Sequence, residues 1–476
     1  MSPLALDRTY EAVMSRQAEI LQRAAGIDYE QFRHGRLVFD YEGLMASTGY
    51  TLDQIAGIQT QCKVGCTPML ELKNLTRLAR HLAPPGHGAR IFIKDEAANA
   101  SGSFKARRAS LSVWESRRRG YSGVIAATSG NYGAAVAAMS AMQGQRCLVL
   151  QEVYDSQGLG QPEIVEKGRA CEAYGAEVWQ TTVGPELFYV HLLLMEETGY
   201  FNASLYTPFS VAGIQTLGHE VGTDIKELTG KPPAAVVVTH AGGGNVTGTA
   251  RGLRAAGCES TTIIGASVDL RGLNMASDLD FNRKSFTTGH TGFGVPFLTN
   301  PDRTDVPYNA ARALRYLDRY VSVNQGGVFY ITQLLAELEG LERGPAGNTS
   351  LAAAFKLAQE MPADDVLVVQ ETEYTGAGKH PTAQLTFARD NGIEVVRGPA
   401  SMNLPGKTIA IPEHPSDVVY QEVDLERIRK SYLRGQLLRL GIADPRELTQ
   451  DEVQYLAAET RLTTEQCLQM LATHTS

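Results

Sequence analysis

From Arg90 onward, short apolar, β-rich runs alternate with helix-length stretches, and this alternation constrains the chain more than any other feature. The runs are Ile91-Phe92-Ile93, Gly123 to Ala127, Cys147 to Leu150, Ala176 to Thr181, Ala235 to Thr239, Ile263 to Val268 and Val366 to Val369. Runs of this length and composition, separated by helical periods, predict a largely parallel sheet with crossover helices, an α/β fold. The 476 residues, 43% of them hydrophobic, are enough for two or three cores. The 47 glycines and sparse aromatics (7%) suit a fold built on tight turns and phosphate loops.

Several function classes drop out. With 44 Lys and Arg against 52 Asp and Glu, the net charge is −8, and the one compact basic run is Arg117-Arg118-Arg119. There is no surplus of positive charge for a nucleic-acid backbone. The uncharged stretch Gly120 to Gln145 is made of Gly, Ala, Ser, Thr and Asn rather than Leu, Ile and Phe, so it reads as strand, loop and small-residue helix instead of a membrane span. The opening residues are charged and amphipathic rather than leader-like, and a cytoplasmic location is expected. The six cysteines are scattered and read as reduced thiols. Cys62 and Cys66 have no second Cys/His pair at zinc-site spacing, so no metal is expected.

Four loops sit where open α/β sheets bind ligands, at the carboxyl ends of strands or opening helices. Lys94 to Arg107 places Lys105 just inside a helix, where the positive end of the helix dipole favours a neutral, nucleophilic amine; Ser101, Gly102 and Ser103 leave room for a ligand against the backbone. Thr128-Ser129-Gly130-Asn131-Tyr132-Gly133 turns a buried strand into a helix and offers N–H and hydroxyl groups to a carboxylate or phosphate. Ala241 to Gly248 follows an apolar strand and carries Gly242-Gly243-Gly244-Asn245. Counting from Gly242, its sixth position is Thr247, so it departs from the dinucleotide fingerprint G-x-G-x-x-G. The fourth site combines Glu339 to Asn348 with Glu371 to Lys379, a loop able to present a hydroxyl or a carboxylate to a ring nitrogen.

Taken in this order, Gly65-Cys66-Thr67-Pro68, Ser103-Phe104-Lys105-x-Arg107, Thr128-Ser129-Gly130-Asn131, the glycines at 242 to 244 and Glu339-Gly340 through Gly347 resemble the fold-type II pyridoxal-phosphate enzymes, which include cysteine synthase, threonine synthase and the β chain of tryptophan synthase. The likeness spans roughly Val64 to Lys379 and implies a tryptophan-synthase-β-like fold of two lobes. Residues 110–220 would form the small domain, 61–109 with 221–400 the large cofactor-binding domain, and 1–60 and 401–476 helical extensions. It further implies that Lys105 holds pyridoxal 5′-phosphate covalently, that Asn131 hydrogen-bonds the 3′-oxygen, and that Gly242, Gly243, Gly244 and Asn245 hold the phosphate. Thr128, Ser129, Gly130 and Tyr132 would take the substrate carboxylate. For the pyridine nitrogen the loop offers Thr372, Thr375 and two acids, with Thr375 favoured. Asn245 is a departure, since many relatives have Thr or Leu there.

Segments outside the shared motifs, including Gly26 to Tyr29, Asp155 to Gly160, Val183 to Phe188, Phe286 to His290 and Glu371 to His380, are more similar to one branch of that family, the β subunits of thiolases that act on a 2-amino-4-oxo acid in ornithine breakdown. The resemblance implies coenzyme A as co-substrate, acetyl-CoA and D-alanine as products, a smaller α subunit as partner, and self-association. A lyase catalysing β-elimination or β-replacement needs the same lysine and loops and is the alternative. Candidates for handling the thiol and the adduct oxygen are Tyr132, Tyr206, His290 and His380, with Cys66 as a less suitable acyl acceptor. Arg271, Arg283, Lys284 and Arg303, in what reads as a long insertion from Leu270 to Asn324, are candidates for coenzyme A phosphates or the partner subunit.

Overall fold

A computed structural model describes residues 7–128, 130–154, 158–184, 186–269, 294–374, 381–404 and 406–472. Among these residues, seven strands form the larger sheet in the order Tyr420–Glu422, Arg319–Val323, Thr262–Val268, Ala235–Thr239, Val366–Glu371, Arg90–Asp95 and Met69–Glu71. The five inner strands are parallel and both edge strands run antiparallel. A second, all-parallel sheet has the order Glu177–Thr182, Arg146–Tyr154, Gly123–Thr128 and Phe201–Asn202. The inner strands are apolar on both faces because helices cover both: Val236, Val237 and Val238 are all fully buried.

Every apolar run read from the sequence is a strand or lies within one, save that Ala176 precedes the strand Glu177–Thr182 by one residue. The uncharged stretch resolves into strand Gly123–Thr128 and helix Asn131–Gln143, the latter packed through Ala134, Ala135, Ala137 and Ala138 and ended by Gly144 in the left-handed conformation. The capping box expected at Thr449 and Glu452 is formed.

Two expectations need correction. Residues 270–324 are not wholly an insertion, because Arg319–Val323 is an inner strand paired in parallel with Thr262–Val268. The C-terminal segment is not helical throughout. Thr408–Ile411 pairs with Glu394–Arg397, and Tyr420–Glu422 forms a sheet edge before the helices begin at Leu425. The N-terminal helices bury Val13, Ile20 and Leu21 against Ile125, Leu148 and Leu150 of the four-stranded sheet, so this segment is part of a core.

The helices Lys105–Arg118 and Pro208–Thr229 cross closely, since a Cβ on Gly213 would lie 2.2 Å from the carbonyl oxygen of Arg107. A buried charge network pins the same crossing. Arg107 donates two hydrogen bonds to Glu96, at 2.7 and 2.8 Å, and two to Glu220, both at 2.8 Å, while Lys94 pairs with Glu220 at 2.9 Å. Burial works against the Glu220 carboxyl ionising, yet Arg107 and Lys94 hold it down at about 2. The start of the Lys105 helix is thereby fixed against both neighbouring elements. No helix among the described residues is long and apolar enough to cross a membrane.

Candidate active site

A cavity of about 210 Å³ opens between the carboxyl ends of the two sheets. It brings together Lys105 and Phe104, Thr128 with Gly130, Asn131 and Tyr132, the Gly242–Asn245 loop, and Thr372 with Glu373. Each group follows a different strand, Arg90–Asp95, Gly123–Thr128, Ala235–Thr239 or Val366–Glu371. Parallel strands end on one side of a sheet, so four loops distant in sequence converge there.

Lys105 is the first residue of its helix and half-buried, with Nζ 4.5 Å from the centre of the Phe104 ring. Thr128 is buried, and its hydroxyl oxygen accepts from the N–H of Gly130 at 3.0 Å and of Gly133 at 3.2 Å, which closes the turn. The helix after the glycine loop starts at Gly244, with Gly243 as its N-cap at φ +89°. The first N–H groups of such a helix have no carbonyl partner within it and attract anions. The loop is also closely lined. A Cβ on Gly242 would lie 1.9 Å from the Tyr206 hydroxyl, and one on Gly244 would lie 2.6 Å from the Arg108 guanidinium. Asn245 is buried with Nδ2 unpartnered, and the cavity-lining Thr349 is buried with Oγ1 unpartnered. A half-buried amine, an anion-seeking helix start and spare buried donors fit a phosphate-bearing aldehyde such as pyridoxal phosphate.

Other expected residues are placed differently. The Asn131 amide donates to Glu373 and accepts from Lys167, so it bridges the helix Pro162–Ala173 to the loop after Val366–Glu371. The Tyr132 ring lines the cavity, but its hydroxyl donates to the Ala203 carbonyl at 2.5 Å, and burial pushes that phenol up to about 12. Its hydroxyl is therefore turned away from a substrate carboxylate. Ser129 and Thr375 lie outside the described residues, as do His290, His380, Arg271, Arg283 and Lys284. Thr372 lines the cavity. Of the two acids in that loop, Glu373 lines the cavity. Glu371 is buried behind it, its carboxyl raised well above the usual range by burial and by the nearby Glu373 and Asp95. Cys66 is exposed and is not among the residues lining the cavity.

Four lining residues went unnoticed or were misplaced in sequence. Arg303, read as a candidate for coenzyme A phosphates or the partner subunit, packs over the rings of Phe188, Phe297 and Tyr206 at 4.7 to 5.2 Å and faces the cavity. Glu152, within the strand Arg146–Tyr154, lines the cavity, and burial raises its carboxyl to about 7 despite the proximity of Arg303. The sequence signal for it was an acid two residues after the apolar run Cys147 to Leu150. His240 is held neutral, its imidazole lowered to about 4 by burial. Arg108 covers Gly244 from the helix that begins at Lys105.

The chain belongs to the pyridoxal-phosphate dependent enzyme family, whose profile matches residues 61–372. Two curated relatives are similar over nearly their whole length, and both are named 2-amino-4-ketopentanoate thiolase beta subunit. One, from an unidentified prokaryote, is 62% identical over 458 residues, 96% of either chain. The other, from Acetoanaerobium sticklandii, is 59% identical over 459 residues, 96% of this chain and 97% of the relative. Among solved structures, a threonine deaminase superposes with a TM-score of 0.51 at 24% identity, over 68% of this chain and 98% of that one. An O-ureido-L-serine synthase superposes at 0.51 and 20% identity, over 69% and 93%. These two likenesses show the shared fold, which is the fold-type II architecture expected from the sequence.

Proposed function

We propose that this chain is the β subunit of a 2-amino-4-ketopentanoate thiolase, cleaving that amino acid with coenzyme A to acetyl-CoA and D-alanine during ornithine degradation in the cytoplasm. It would work with an α subunit and in self-associated form. Identity of 62% and 59% along 96% of the chain carries this reading. The convergence of Lys105, the glycine loop and the Thr128 turn on one cavity supports it.

Pyridoxal phosphate supplies, when bound, an electron sink for negative charge developing beside the amino-bearing carbon. In this reading Lys105 holds the cofactor and carries the proton at the substrate α-carbon. Gly242, Gly243, Gly244 and Asn245 hold the phosphate, and Thr128, Ser129 and Gly130 receive the substrate carboxylate. Thr372 or Thr375 faces the pyridine nitrogen. Attack of the coenzyme A thiol on the ketone needs a donor for the adduct oxygen. With the Tyr132 hydroxyl engaged by Ala203, Tyr206 beside Gly242 is the better placed of the two tyrosines. Neutral His240 and Glu152, whose carboxyl titrates near neutral pH, are the proton-handling groups facing the same space.

The test is the visible absorption of the chain with pyridoxal phosphate, before and after 2-amino-4-ketopentanoate, with coenzyme A and the α subunit added in turn. A cofactor band that responds to this amino acid, with acetyl-CoA formed only in the full mixture, is expected. A band indifferent to it that responds to β-substituted amino acids without coenzyme A would replace the thiolase reading with a β-elimination or β-replacement lyase.

A further inference from the structure

Arg108 is a buried cation without an obvious counter-ion. Its residue is 4% exposed and its Nε has no hydrogen-bond partner. One nitrogen donates to the Leu205 carbonyl at 3.2 Å, and the guanidinium lies 5.4 Å from the centre of the Phe104 ring. Its titratable neighbours are the phenols of Tyr206 and Tyr132 rather than carboxylates, and burial lowers its proton affinity. Arg107, one residue earlier, is buried too but has four short hydrogen bonds to two carboxylates. A buried guanidinium left this way is destabilising unless an anion joins it.

The surroundings identify the anion. The guanidinium packs on the first turn of the Gly244 helix so closely that a Cβ on Gly244 would be 2.6 Å from one of its nitrogens. The free N–H groups of that turn and the unpartnered Nδ2 of Asn245 lie at the same end of the cavity. Positive helix end, amide donor and planar fork together suit a dianionic phosphate. Lys105 and Arg108 are also three apart on one helix, so they are surface neighbours with Cβ atoms roughly 5–6 Å apart. Pyridoxal phosphate carries its aldehyde and its phosphate arm on adjacent ring carbons, so one helical turn can address both groups at once.

We propose that Arg108 is the counter-ion of the cofactor phosphate and that, with Lys105 one turn away, it fixes the position of the ring in the cavity. The inference rests on the reading of this cavity as the pyridoxal-phosphate site and assigns a binding residue that the glycine loop alone does not supply.

The test compares pyridoxal phosphate with pyridoxal, which lacks the phosphate, on the cofactor-free chain. Binding is followed by the visible band and by quenching of tryptophan fluorescence. The wild-type chain should prefer the phosphate form, and R108M should lose roughly ten- to hundred-fold of that preference while its affinity for pyridoxal is unchanged. R108K, which keeps the charge but not the fork, should fall between them. Cofactor-free R108M should unfold at or above the wild-type temperature, because an uncompensated buried cation is gone, whereas an Arg108 with only a structural role would lower it. An unchanged preference in R108M, or in R108K should R108M not fold, overturns the proposal. Absence of any band in the wild-type chain would instead overturn the cofactor site itself.

Discussion

Replacing Arg107 by Met tests whether the buried charge network holds the helix that opens with Lys105 in place. Arg107 is fully buried and links Glu96, which is fully buried, to Glu220 on the crossing helix. In R107M, Glu220 keeps Lys94 at 2.9 Å. Glu96 keeps only the Thr67 hydroxyl at 2.6 Å and the Asn99 amide at 2.9 Å, and so becomes a buried carboxylate without a cation. Removing one partner of a buried pair costs about 3–5 kcal/mol, and the methionine fills most of the lost volume, so the electrostatic part dominates. The second change, E96Q in the R107M background, removes the stranded charge and should restore roughly 1–3 kcal/mol. Urea unfolding followed by circular dichroism and tryptophan fluorescence gives both values from the shift in midpoint at constant slope. Because the network lies two residues beyond Lys105, R107M should also weaken pyridoxal phosphate binding, and the double variant should recover it in part. A loss below about 1 kcal/mol in R107M, or no recovery in the double variant, would show that the carboxylates do not need this guanidinium and would refute the argument.

Three further outcomes are expected. With its carboxyl held at about 2 against an ordinary 4.5, Glu220 contributes stability that is intact above pH 4.5 and lost as pH falls through 2, about 3 kcal/mol for such a shift; unfolding of E220Q, measured over that window, should show a shallower acid limb. Glu152 has the opposite sign, since a carboxyl raised to about 7 favours the fold below pH 4.5 and loses that contribution as pH rises through 7; between pH 5 and 8.5 the cofactor-free wild type should lose up to about 3 kcal/mol more than E152Q, and equal pH slopes would contradict it. In G242A the new methyl would stand 1.9 Å from the Tyr206 hydroxyl, and overpacking of about 1–3 kcal/mol should weaken pyridoxal phosphate binding roughly tenfold or more, read by titrating the visible band; wild-type affinity would mean that the loop yields without consequence.

The parts of this molecule legible in sequence are those where one physical requirement dominates a contiguous stretch. A strand buried on both faces must be apolar at nearly every position, so Val236-Val237-Val238 and Val366 to Val369 announce the sheet. A loop that must bring backbone N–H groups to an anion needs glycine, so Gly242 to Gly244 announces a loop suited to one at the edge of the cavity. Arg319–Val323 was hidden because its alternation of Arg, Ser and apolar residues fits a half-exposed segment as well as a strand beside a two-stranded edge. The charged side chains were harder, because charge in sequence carries no address. Arg107, Arg108 and Arg303 look alike as arginines; one is a structural clamp between two acids, one faces the glycine loop, and one is packed among three aromatic rings. Asn131 shows the same limit, since its partners Lys167 and Glu373 are 36 and 242 residues away in sequence. A buried polar group is defined by what satisfies it. Where the fold supplies every partner, as for Arg107, the residue is read as architecture; where it leaves donors unspent beside the cavity, as for Arg108 and Asn245, the residue is open to a ligand.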